Sequence, residues 1–175
     1  MVTIDEVEAY ARAKNVDISF CKGIAFRLKS IGIMDEAVLY SAFLSNTGSS
    51  FDEIHTRFGR EIAVLVASLT KDKNLTKQRQ DEQYVKQLQD APWESILIKL
   101  CEISANLKII KESDMSKTKR AKLLKQNIHY LNVLKNKIIE NKTETHGIDR
   151  LLDGVNETLT HFGQRPIKFE NFTTT

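Results

Sequence analysis

The near absence of helix breakers between Arg60 and His146 limits what this chain can fold into. That stretch contains no glycine and a single proline, Pro92, and it is rich in leucine, lysine, glutamine and glutamate. These four residue types favour helix, whereas glycine and proline interrupt it. About half of the 175-residue chain is therefore predicted to form consecutive helices.

Helix boundaries are also marked outside that stretch. Thr3–Glu6 and Ser50–Glu53 have the spacing of a capping box, in which a hydroxyl and a carboxylate bond to free backbone N–H groups at a helix start. Asp17 is placed to cap a further helix. The apolar run Ile62–Leu69 has the composition of a buried strand or a buried helix, and the lack of strand signals nearby favours the helix. The sequence predicts an all-α bundle of about eight or nine helices.

Composition predicts an ordinary globular protein. Hydrophobic residues make up 41% and charged residues 28% of the chain. The two cysteines are far apart, as is typical of a reducing compartment. No signal peptide and no apolar run of about 20 residues is visible, so we expect a cytoplasmic protein without a membrane span. We expect a single domain over residues 1–163, followed by a C-terminal tail, residues 164–175, that is loose at its end.

The positive charge is concentrated in one segment. Lys111–Lys142 contains nine basic and three acidic residues. Its apolar residues recur every three or four positions, which predicts an amphipathic helix with lysines on its solvated face. Contact with phosphates of nucleic acid or membrane lipid is the alternative. Nucleic acid is disfavoured because Tyr130 is the only Phe, Tyr or Trp in the segment that could stack on a base.

Separate segments of the chain share their order and spacing with one protein family. They are Gly23–Ala25, the run Val38–Lys71 with its Phe58-Gly59 pair, and Leu97–Leu107. Over about residues 5–140, the chain resembles the hydrolase domain of RelA/SpoT-type proteins, especially the small stand-alone hydrolases related to the metazoan SpoT homologue. The resemblance implies an all-helical HD domain. In that family a His, a His-Asp pair and a distant Asp bind one divalent cation, usually manganese, which activates a water that attacks the 3′-pyrophosphate of (p)ppGpp.

The resemblance places the wrong residues at those metal positions. Phe20 falls on the first His, Ser41 and Ala42 on the His-Asp pair, and Glu102 on the distant Asp. Phe and Ala have no donor atom, and a neutral hydroxyl is a poor replacement for imidazole or carboxylate. We therefore predict no metal cofactor and no catalytic residues of the HD type.

The positions around the predicted ligand site match the family only in part. The acidic pair that assists proton transfer in the family falls on Ser45 and Asn46, whereas Lys14 and Asn106 match family residues on the substrate side. Lys14 is alternatively a solvated helix end, and Asn106 a buried amide bonded to backbone. Glu102, on an otherwise apolar helix face, needs a partner such as Lys14 or Lys99. The candidate vestigial pocket consists of Lys14, Ser41, Ser45, Asn46, Glu102 and Asn106.

These observations predict a degenerate (p)ppGpp-hydrolase-like protein that is catalytically inactive and retains a binding role. The predicted partner is a guanine nucleotide or another protein. The alternative from the enzyme class is a (p)ppGpp 3′-pyrophosphohydrolase-like activity that uses a rebuilt site. The four histidines form no HExxH-like pattern that would supply a substitute metal set.

Overall fold

The computed structural model describes residues 1–170, which form nine α-helices, one short 3-10 turn and no strand. This confirms the predicted all-α class and helix number. The helices are α1 (Ile4–Ala13), α2 (Ile18–Ser30), α3 (Glu36–Leu44), α4 (Phe51–Phe58), α5 (Arg60–Leu69), α6 (Lys77–Gln89), α7 (Trp93–Glu112), α8 (Lys117–Asn141) and α9 (Ile148–His161).

The predicted helix starts are present as hydrogen-bonded caps. Capping boxes form at Thr3 with Glu6 and at Ser50 with Glu53, and the Asp17 carboxylate accepts from the Phe20 backbone N–H. The apolar run Ile62–Leu69 lies in α5, so the helix prediction is confirmed there. Gly59 joins α4 to α5 with a φ of +95°, a left-handed conformation that residues with a Cβ adopt only at a cost.

The long helix α7 runs through the centre of the fold. Its buried positions include residues on every side, and it packs against α2, α3, α5, α8 and α9. The short helix α3 is similarly enclosed, because every residue from Val38 to Leu44 is buried. Neither helix therefore shows the polar outer face of a surface helix, which explains their continuous apolar sequences. The candidate site residues on these two helices are consequently held by core packing.

The chain after α9 folds back onto that helix. The Asn156 amide donates to the Ile167 carbonyl at 2.8 Å and accepts from the Ile167 N–H at 2.7 Å. Ile167 and Phe169 are buried. The part of the predicted tail up to residue 170 is thus anchored to α9, whereas its predicted loose end lies outside the described residues. Within residues 1–170, no helix combines the length and apolarity needed to cross a membrane.

Candidate functional site

A cleft opens between α7 and α8 and is bordered by the loops that follow α3 and α5. It has a volume of about 440 Å³, and we call it the lysine cleft. Four of the six predicted pocket residues line it, namely Ser45, Asn46, Glu102 and Asn106. The lining also includes side chains that were not predicted as site residues: Lys71, Lys73, Lys99, Tyr84 and Tyr130.

Lys99 is the buried cation of the cleft. Its residue exposure is 6%, and its Nζ lies 3.4 Å from Glu102 Oε1. The same Nζ sits 4.7 Å from the ring centre of Tyr130 and 5.3 Å from that of Tyr84, within the range of cation–π attraction. Burial by itself lowers the pKa of Lys99, but Glu102 and the two tyrosines outweigh it, so the pKa is raised above its usual value. Lys99 therefore carries its charge throughout the physiological pH range.

Lys71 approaches the same pair of tyrosines. Its Nζ lies 5.0 Å from the Tyr84 ring centre and 5.4 Å from that of Tyr130, and it pairs with Asp81 at 3.2 Å. Burial lowers the pKa of Lys71, but Tyr130 and Asp81 more than offset it, and the net pKa is raised. Two charged ammonium groups thus share one aromatic pair, whose rings meet edge to face 5.5 Å apart.

Lys73 extends across the opening toward the loop after α3. Its Nζ lies over Gly48, where the added Cβ of any other residue would collide with it. Gly48 also has a φ of +68°, which favours glycine. The loop sequence Ser45–Ser49 therefore both forms a tight turn and makes room for a third lysine at the cleft.

Two polar groups of the cleft have no partner within the described part of the chain. The Ser45 residue is 6% exposed, and its hydroxyl makes no hydrogen bond. The Asn106 side chain is partly exposed and likewise forms no hydrogen bond, so the alternative of a buried amide bonded to backbone is wrong. Because buried polar groups are nearly always satisfied, Ser45 points to a ligand or an ordered water in the cleft.

The predicted metal positions do not fit a metal ion. Ser41 is fully buried and its hydroxyl donates to the Ala37 carbonyl at 2.7 Å, and Ala42 is also fully buried. Phe20 is partly buried and packs against the core. Of the four positions only Glu102 offers a charged oxygen, and it already pairs with Lys99, one of the two partners that the sequence suggested. Within residues 1–170, no group of three His, Cys, Asp or Glu side chains is placed to hold a metal.

The helices that carry these four positions nevertheless pack together. Helix α2 contacts α3 and α7, and α3 contacts α7. The Sγ of Cys21, the residue after Phe20, lies 4.0 Å from the carbonyl oxygen of Phe43 on α3. Burial, with smaller contributions from Asp17 and Glu102, raises the Cys21 pKa to about 11. We call Phe20, Ser41 and Ala42 the apolar floor; none of them lines the lysine cleft, whereas Glu102 does.

Lys14 and Ser41 lie outside the cleft lining. The Lys14 ammonium, at the C-terminal end of α1, pairs with Glu53 at 3.3 Å and lies 5.5 Å from the Tyr10 ring centre.

The sequence signal for Lys99 was a lysine three residues before Glu102 on an apolar helix, which favours an ion pair. Lys71 and Tyr84 had no such signal, because Lys71 meets Tyr84 where the chain after α5 packs on α6, and Tyr84 meets Tyr130 where α6 packs on α8.

The fold matches a solved structure. No family model matches the sequence, and no curated protein matches it either. The solved structure is described as a metazoan orthologue of SpoT that hydrolyses ppGpp and plays a role in starvation responses. It superposes with a TM-score of 0.69 at 21% sequence identity, over 93% of this chain and 98% of that one. The chain therefore shares its helical fold with that SpoT orthologue. At this identity the likeness establishes the fold alone.

Proposed function

We propose that the lysine cleft binds a phosphorylated nucleotide and that the chain does not hydrolyse it by HD-type metal catalysis. The observation that carries the proposal is the convergence of Lys71, Lys73 and Lys99 on one cleft that contains a single carboxylate, Glu102. Lysine ammonium groups are common phosphate ligands. The cleft volume of about 440 Å³ lies within the usual range for small-molecule sites, about 300–1,000 Å³.

The energetic cost of burying Lys99 supports a binding role. Taking a charged ammonium out of water costs several kcal/mol unless its partners compensate, and replacing a buried ion pair by apolar residues is often neutral or stabilising. Here the chain keeps a lysine at 6% exposure with one carboxylate and two tyrosine rings around it. A buried cation held by one carboxylate and two aromatic rings, next to an unsatisfied Ser45 hydroxyl, fits a site for an anion.

The choice of nucleotide follows from the shared fold. The protein of the matching structure hydrolyses ppGpp, so (p)ppGpp is the first ligand to test. Asn46 and Asn106 line the cleft and supply the amide donors and acceptors that could read a base or a ribose. The loss of hydrolysis is inferred from the ligand positions, because neither Phe20 nor Ala42 has an atom that binds a metal.

The direct test is ligand binding by calorimetry, together with thermal denaturation, using ppGpp, GDP, ADP and orthophosphate. A ligand at about 100 times its Kd stabilises the fold by about 2.7 kcal/mol. We expect Lys71→Gln to weaken ppGpp binding at least tenfold. Lys77→Gln, an exposed lysine of α6 outside the cleft, is the matched control and should leave the affinity unchanged.

Three results would contradict the proposal. One is the absence of stabilisation by every nucleotide and by phosphate. A second is an equal loss of affinity in Lys71→Gln and Lys77→Gln, which would indicate long-range charge attraction only. The third is metal-dependent turnover, which would support the alternative of an enzyme with a rebuilt site.

A further inference from the structure

The basic segment of the sequence forms a second candidate binding surface, which lies on another side of α8 from the lysine cleft. The first half of α8 and the residues after α9 enclose a groove of about 450 Å³. We call it the α8–α9 groove and define it by Lys117, Arg120, Ala121, Lys125, Ile128 and Phe162. The cleft is lined instead by Leu123, Gln126, Asn127 and Tyr130 of the same helix.

The charges of this groove all have one sign. Lys117, Arg120 and Lys125 line it, and no acidic residue does. Neither lysine forms an ion pair with a residue of the described chain. The first turn of α8 also lacks acidic residues, so the partial positive charge of the helix N-terminus adds to the three side chains. Lysines at a helix N-terminus are electrostatically unfavourable, which indicates that folding alone does not explain them.

Arg120 supplies an independent observation. Its guanidinium lies 5.7 Å from the Phe162 ring centre, and one terminal N–H donates to the Met115 carbonyl at 3.5 Å. Its Nε is buried and has no acceptor in the described part of the chain. An unsatisfied guanidinium N–H is costly, and reorientation of the Arg120 side chain toward a carboxylate of a partner would satisfy it.

The apolar base of the α8–α9 groove favours one class of anionic partner over another. Ala121, Leu124, Ile128 and Phe162 make it apolar. A nucleic acid strand would need several aromatic side chains for stacking, and here Phe162 alone is present and lies beneath Arg120. An amphipathic helix satisfies both features, because its apolar side chains enter the groove while its carboxylates meet the cationic rim.

We propose that the α8–α9 groove docks an acidic amphipathic peptide segment of a protein partner. The proposal does not depend on the function of the lysine cleft. Three features of the groove support it together: the cationic rim without an acidic member, the apolar side chains at the base of the groove and the Arg120 Nε without an acceptor.

The test is fluorescence anisotropy with a labelled peptide of about 15 residues, long enough to form a helix on binding. The peptide carries Leu or Phe at positions i, i+3, i+4 and i+7 and Glu elsewhere. A scrambled peptide of the same composition and a single-stranded RNA of the same charge are the comparison ligands. We expect the amphipathic peptide to bind at least tenfold more tightly than either, with an affinity that falls as salt is raised.

Variants of α8 locate the binding. The double variant Lys117→Glu and Lys125→Glu should lower the affinity at least tenfold, and Ala121→Gln should lower it by filling the groove without changing the charge. The double variant Lys119→Glu and Lys122→Glu makes the same charge change at exposed positions of the same helix that do not line the groove. It should change the affinity less than threefold.

Fold stability separates loss of binding from loss of structure. Lys117→Glu removes an unfavourable charge from the helix N-terminus, so the melting temperature should stay constant or rise. No binding of the amphipathic peptide would overturn the proposal, and so would equal binding of the scrambled peptide or the RNA. An equal loss in the two double variants would also overturn it, because the groove would then be a general cationic surface.

Discussion

The apolar floor and the lysine cleft are neighbours in this fold, and they differ in the charge and the hydrogen bonding of their buried polar groups. At the floor, Phe20, Ser41 and Ala42 present no charge, and the Ser41 hydroxyl is satisfied by its own helix. In the cleft, Lys99 keeps a buried charge and Ser45 a hydroxyl without a partner. A vacant set of imidazoles and carboxylates would destabilise the interior. The floor has no such groups, whereas the cleft keeps a buried charge and an unsatisfied hydroxyl, and this difference favours a binding role for the cleft.

The largest change that we expect is the loss of metal-dependent hydrolysis at the apolar floor. We expect no release of pyrophosphate from (p)ppGpp above the buffer control, even with excess Mn²⁺. Free water ionises with a pKa near 15.7, against about 7 for water on a catalytic metal, so loss of the metal removes many orders of magnitude in rate. Product chromatography and elemental analysis of the purified protein are the measurements. Chelator-sensitive turnover, or about one retained metal ion per chain, would show that the two regions still cooperate as an enzyme.

The next effect tests whether Lys99 is essential to the fold as well as to the cleft. Removing one partner of a buried pair leaves the other uncompensated, and because Glu102 keeps some contact with solvent we expect Lys99→Met to cost about 2–4 kcal/mol of unfolding free energy. Chemical denaturation measures this. The double variant Lys99→Met and Glu102→Gln should recover part of the loss, since no unpaired carboxylate remains. Lys108→Met, near the exposed C-terminal end of α7, is the control and should change stability little.

The pH dependence of that effect has a definite sign. The folded-state pKa of Lys99 is raised above its unfolded value, so its stabilisation is fully present below the unfolded pKa of about 10.4 and declines as pH rises toward the folded value. The stability difference between the natural chain and Lys99→Met should therefore be constant from about pH 7 to 9.5 and shrink above it. A difference that already falls between these limits would contradict the assignment of a stabilised charge.

Local signals predicted the helices well, and they predicted the cleft only in part. The caps at Thr3, Asp17 and Ser50 depend on residues three or fewer positions away, so the sequence alone contains them. The family resemblance over Leu97–Leu107 placed Glu102 and Asn106 in the predicted pocket. Both residues accordingly line the same cleft.

The remaining part of the cleft depends on long-range packing. Tyr84 and Tyr130 are 46 positions apart in the chain and meet because α6 packs on α8. Lys71 joins them from the loop after α5. No periodicity within one segment indicates such a meeting. Lys14 illustrates the converse, because its match to a family position gave no information about the Glu53 partner it has here.

A substitution at Phe20 tests whether the apolar floor still has room for a metal ion. We expect Phe20→His to destabilise the fold by about 1–2 kcal/mol, because it exchanges a partly buried ring packed on the core for an imidazole without a metal. Added Mn²⁺ should not restore the stability. Phe26→His is the control on the same helix: the Phe26 side chain is 72% exposed, and its substitution should change the free energy of unfolding by less than about 0.5 kcal/mol. Stabilisation of Phe20→His by Mn²⁺ would show that a polar metal cavity persists at the floor.

A variant of Lys14 separates a lysine of the cleft from a lysine that only matches a family position. The Lys14 ammonium is exposed and bonds to Glu53, which raises its pKa and keeps it charged. Exposed ion pairs contribute little to stability, because solvent already compensates both charges. Lys14→Gln should therefore leave both the melting temperature and the affinity for ppGpp unchanged, while Lys71→Gln weakens binding. Calorimetric titration of the two variants under identical conditions makes the comparison. A loss of affinity in Lys14→Gln equal to that in Lys71→Gln would contradict this prediction. The nucleotide would then extend beyond the lysine cleft to the end of α1, and Lys14 would belong to the binding site.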